Sequence, residues 1–121
     1  MNMEEILNPV EIAIDNEDSD DGFFSVGFIL NFDVDQVPHN IGLCRDAYEN
    51  PDSIYVEPDD QIYGFRTRNA SFTVNELILT ISLHDENKFY WDGSKSVRIK
   101  LDPKKKDDAV ACLRRIFDLQ P

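Results

Sequence analysis

Basic residues are nearly missing from the first half of this chain. Residues 1–60 hold one, Arg45, against sixteen Asp and Glu, whereas residues 61–121 hold eleven Lys and Arg against eight acids. The formal net charge is −12. A chain half with so little positive charge cannot neutralise phosphates, which argues against direct nucleic-acid binding and for a partner with a basic surface. The competing reading is an acidic face that only keeps a small protein in solution.

Cysteine is scarce as well. Cys44 and Cys112 are too few for a disulfide framework, so two buried free thiols are expected. No run approaches the roughly 20 apolar residues of a membrane span. The acidic start, Met1-Asn2-Met3-Glu4-Glu5, lacks the basic and apolar regions of a signal peptide. A cytoplasmic protein with no membrane partner is the expectation. There is no Gly-rich phosphate loop, no Gly-x-Ser-x-Gly elbow and no short paired spacing of His39, His84, Cys44 and Cys112. Phosphate cradling, serine nucleophile chemistry and a His/Cys metal centre therefore lack support, and no catalytic, cofactor or metal residue is assigned.

What is present is ordinary core material, including thirteen aromatics in 121 residues, enough for one domain spanning 1–121. Period-2 alternation predicts a strand over 10–14 and another over 23–32, where Gly27 suggests a bulge or a close approach. Further strands are expected over 41–47, 54–57, 61–65 and 71–83, with a turn at Asn75-Glu76, and over 97–101, whose outer face is basic. Pro38 and its polar neighbours read as a connection, and Asp92-Gly93 as a turn. The last element has period 3.6: Val110, Leu113, Ile116 and Phe117 share a face, Asp102 and Pro103 suit its start, and Lys104 to Lys106 are expected to be solvated. The fold class is α+β, a mostly antiparallel β-sheet with a C-terminal amphipathic helix packed on one face.

Two clusters invite chemistry. Glu17, Ser19, Asp21 and Gly22 can be laid on a calcium loop, but Phe28 then falls where a bidentate Glu is needed. Glu57, Asp59 and Asp60 could supply a general acid/base pair, although adjacent carboxylates are unremarkable in so acidic a chain. The same stretch, from Tyr55 through Glu57, Asp59, Asp60 and Gln61 to Tyr63, also interleaves aromatics with acids. That suits recognition of Lys or Arg on a protein.

Tyr55-Val56-Glu57, Asp60-Gln61 and Tyr63-Gly64 are followed by the Leu-rich strand from Leu77 to Leu83, the basic strand ending at Leu101 and the helix with Leu113 and Ile116-Phe117. Over residues 23–119 this series resembles the Immunity protein 10 family, small proteins encoded beside bacterial polymorphic toxins. The chain differs from that pattern at Phe65, where a second Gly often stands, and at Cys44-Arg45-Asp46. The resemblance implies a non-enzymatic protein that binds and neutralises a cognate toxin C-terminal domain, a basic nuclease being one candidate. The contact residues expected on this reading are Asp15, Glu17, Asp18, Asp20, Asp21, Tyr55, Glu57, Asp59, Asp60, Gln61 and Tyr63. The alternatives are a small carboxylate-dependent enzyme and an adaptor domain with no toxin partner. An exposed edge strand could also give a homodimer.

Overall fold

Alternation of apolar and polar side chains builds two antiparallel sheets in the computed structural model, which describes residues 5–15 and 22–118. The first sheet has five strands in sequential order: β1 (Glu11–Asp15), β2 (Phe23–Ile29), β3 (Asn40–Asp46), β4 (Ile54–Pro58) and β5 (Phe65–Thr67). The second has three: β6 (Ala70–Asn75), β7 (Ile78–Leu83) and β8 (Ser96–Lys100). The helix α1 (Lys106–Ile116) closes the chain. The architecture is α+β, as the periodicity predicts.

One core joins the three parts. Ile12, Val26, Phe28, Ile41, Leu43, Ile54 and Val56 line the inner face of the large sheet. Leu79, Ile81, Val97 and Ile99 meet them from the small sheet, and Cys112, Leu113 and Ile116 from the helix. The helix lies against β1, β2 and β3, and Phe117 reaches Phe72 of β6 at 5.0 Å between ring centroids. Arg115 stacks over Phe24 at 5.2 Å.

Several local expectations change. Residues 61–65 are not one extended segment: Gln61–Tyr63 form a 3-10 turn, and β5 begins at Phe65. The Asp60 carboxylate accepts the Gln61 N–H and so favours the turn over a continued strand. Gly27 makes no bulge; it pairs in register with Ala13 on one side and Gly42 on the other. Asp102 does not cap the helix. It accepts the Lys104 N–H and closes a turn ahead of it, and the helix starts at Lys106 with no side-chain cap. Asp107 and Asp108 supply negative charge to its first turn instead. Lys105 is not simply solvated, since its Nζ donates to the Ile12 carbonyl at 2.7 Å. Cys112 is buried, but Cys44 is only partly so, because it sits on the outer face of β3.

Candidate functional site

Antiparallel pairing brings the β2–β3 connection and the segment after β4 to the same end of the large sheet. Asp59 joins them. Its backbone is left-handed (φ 63°), a conformation that Asp tolerates better than most residues. The Asp59 N–H donates to the Asn40 carbonyl at 2.8 Å. Its carboxylate is 3% exposed and accepts the backbone N–H groups of His39 (2.7 Å) and Asn40 (3.0 Å). The second oxygen accepts the Tyr90 hydroxyl, and His39 Nδ1 lies 3.2 Å from the first. One buried acid therefore ties together three chain segments, and its donors satisfy it where water cannot. Burial, and then the hydrogen bond to Asp59, hold the Tyr90 phenol well above its ordinary pKa.

Tyr63 stacks on Tyr90 with 3.6 Å between centroids and 4° between planes. Trp91 meets Tyr90 edge-on, and Phe89 then leads into the core. Tyr55 points outward and across to β5, donating to Glu57 Oε1 at 2.9 Å with the Arg66 guanidinium 5.7 Å from its ring. Burial, followed by that bond to Glu57, raises its pKa. Gly64 leaves room for this ring: a β-carbon there would stand 2.8 Å from Tyr55 Cζ.

Of the residues expected to act together, Asp59, Asp60, Gln61 and Tyr63 gather at this end. Asp59 is turned inward, so it holds the site rather than presenting charge. Tyr55 and Glu57 lie beside it on the outer face of the sheet. Asp15 belongs to the other end: it shares a cross-strand row with Ser25, Cys44 and Tyr55. Asp59 stands four residues beyond Tyr55 in the chain, just past the end of β4. Glu17, Asp18, Asp20 and Asp21, and the calcium reading of that loop, fall outside the described residues.

Among the pockets formed by the described residues, none of those resolved is lined by both Glu57 and Asp60. Glu57 borders an open hollow of about 450 Å³ over Ala13, Gly27 and Gly42, while the Asp60 carboxylate holds the Gln61 amide. Ser71 Oγ and His84 Nε2 lie 2.7 Å apart, the spacing of a nucleophile and its base. That pair is exposed, and no carboxylate among the described hydrogen bonds orients the ring. No group of three or more His, Cys, Asp or Glu side chains is gathered for a metal among the described residues. No helix among them is long and apolar enough to cross a membrane.

Sequence reasoning missed His39, Tyr90 and the 31–37 loop. His39 and Tyr90 meet Asp59 from 20 and 31 positions away, and no local pattern marks such a contact. The loop did carry a signal: Phe32 closes the strand expected over 23–32, whereas β2 ends at Ile29, and Val34 and Val37 follow among Asp33, Asp35 and Gln36. No family model matches the chain, and comparisons with curated proteins and with solved structures give no match either.

Proposed function

We propose that this chain is a non-enzymatic immunity-type protein. It binds a cognate toxin domain and covers that domain's active or substrate-binding surface with an acidic face. One observation carries the reading beyond net charge. Arg45, the sole Lys or Arg of the first 60 residues, is 6% exposed, and its guanidinium donates to the Arg115 and Pro51 carbonyls at 2.6 and 3.0 Å. The half of the chain that builds β1 to β4 thus presents Glu11, Asp15, Asp33, Asp35 and Asp60 to solvent with its one cation withdrawn. Such a face attracts a basic surface and repels phosphate, and fast electrostatic capture is what an inhibitor of a lethal enzyme needs. The resemblance to Immunity protein 10 supports the same function.

The test is a pull-down from the native cell with the tagged chain as bait, washed at low and high salt, followed by co-expression. Recovery of one toxin domain that salt weakens, and whose toxicity this chain abolishes, is expected. A recovered toxin domain whose toxicity is unchanged by co-expression would defeat the reading.

A further inference from the structure

Large apolar side chains are exposed unevenly. Phe32, Val34 and Val37 of the β2–β3 connection are 74%, 70% and 59% exposed, and Ile62 and Tyr63 of the 3-10 turn 78% and 38%. All five stand at the Asp59 end. Val10, 58% exposed, is there too, through its N–H bond to the Ile29 carbonyl. Among the described residues, only Phe23 and Tyr48 of the exposed large apolar side chains lie at the opposite end. Apolar residues collected on one surface of a small domain mark contact with another molecule more often than residues scattered singly do.

The loops that carry them are built, not slack. The Leu30 and Asn31 N–H groups both donate to the His39 carbonyl, at 2.9 and 3.2 Å. Asp33 N–H donates to Asn31 Oδ1, Asp35 N–H to Asp33 Oδ1 and Gln36 N–H to the Asp33 carbonyl. His39 Nδ1 lies 2.8 Å from the Gln36 carbonyl, and Asp59 clamps the base. These bonds order the connection, yet its apolar side chains face water. Ordering a loop before contact lowers the entropy lost on binding.

We infer that residues 31–37 and 60–63 form the docking end of this protein. Its partner there is a protein surface with an apolar recess bordered by Lys or Arg. The inference rests on the immunity-type reading and names the contact surface for it. Charge selects the occupant. Exposed Asp33 and Asp35 neighbour Phe32 and Val34 in the chain, exposed Asp60 precedes the turn that carries Ile62, and residues 31–64 contain no Lys or Arg except Arg45, buried at the far end of β3. An anionic membrane or a nucleic acid would be repelled, and a second copy would set acid against acid.

The probe is the toxin domain recovered by the wild-type chain, expressed and purified, with affinity read by calorimetry. Phe32→Ser with Ile62→Ser should weaken Kd at least tenfold while leaving the unfolding midpoint unchanged, since both side chains are exposed. Asp35→Lys should slow association at low salt and have little effect at high salt. Gly42→Val, on the outer face of the sheet where a β-carbon meets only the Glu57 carbonyl at 3.8 Å, should leave Kd unchanged. Wild-type affinity in the double variant would overturn the docking end but leave the immunity reading standing. Loss in Gly42→Val alone would move contact to the outer face. Failure of the wild-type chain to bind any toxin domain would sink both. Sedimentation showing a dimer dissolved by the double variant, or its loss of binding to anionic phosphatidylserine vesicles, would replace the basic protein partner by a second copy or a membrane.

Discussion

Each end of the five-stranded sheet is tied by one buried charge, and the two charges are opposite. At one end Arg45 collects carbonyls, from Arg115 in the last turn of α1 and from Pro51 in the β3–β4 connection. At the other Asp59 collects donors, from His39, Asn40 and Tyr90. The difference lies in what each tie leaves at the surface. Arg45 removes the only cation of its chain half from solvent. Asp59 removes one acid and, in exchange, holds two loops whose apolar side chains stay outside. The first tie shapes the field and the second shapes the proposed contact surface.

Breaking the Arg45 tie should have the largest effect on the fold. Arg45→Ala removes a buried guanidinium and leaves two part-buried carbonyls without their charged donor, a loss on the order of 3 kcal/mol, readable as a lower urea midpoint. A midpoint unchanged from wild type would mean that the helix end does not depend on this side chain. Asp59→Ala strands a hydroxyl and two N–H groups and should cost about 2 kcal/mol. Asp59→Asn should recover part of this, because Asn accepts through one oxygen and tolerates the left-handed backbone. Unlike Arg45→Ala, the Asp59 variants should also weaken docking under conditions where they remain folded.

Glycines sharpen the comparison on a smaller scale. Gly64→Ala drives a β-carbon into the Tyr55 ring and should destabilise by roughly 1 kcal/mol or more. Gly27→Ala should be neutral or stabilising by up to about 1 kcal/mol, since the nearest atom to a β-carbon there is the Ala13 Cβ at 4.0 Å. Thermal melts of the two variants should move in opposite directions, and a shared sign would show that the space around Tyr55 relaxes freely.

The smallest effect is pH-dependent. The folded pKa of Tyr90 is raised by burial and by Asp59. The unfolded chain therefore loses this proton first, from about pH 10 upward, and stability falls as pH rises through that range. Tyr90→Phe should flatten this alkaline limb. At the acid end burial pushes the Asp85 pKa up, but hydrogen bonds from Thr67, Asn87 and the Arg68 backbone outweigh it and the net shift is downward. Its contribution is present above the unfolded carboxylate range and disappears as pH falls through the folded pKa, so Asp85→Asn should flatten the acid limb of a pH–stability curve.

The fold was legible wherever one face of an element is buried. Ile12, Leu79, Ile81, Val97, Ile99, Leu113 and Ile116 all lie in the core face their spacing assigns. Division into two sheets was not legible, because alternation fixes which face is inward and says nothing of which strands pair. Helix onset was misread since Asp102 can close a plain turn as well as cap a helix. At the candidate site Tyr63, Asp60 and Gln61 were visible as an acid–aromatic run. The inward turn of Asp59 was hidden, because it depends on partners from distant segments. The exposure of Phe32, Val34 and Val37 was hidden for a related reason: apolar residues at a strand end or in a connection read equally well as core until burial is known.

The most direct test of the docking end is hydrogen–deuterium exchange on the chain alone and bound to the toxin domain it captures. New protection is expected at the amides of residues 31–37 and 60–63, with none added in the three-stranded sheet. A stable complex in which both loops exchange as in the free protein, and protection falls on β6 to β8 or the helix, would contradict it.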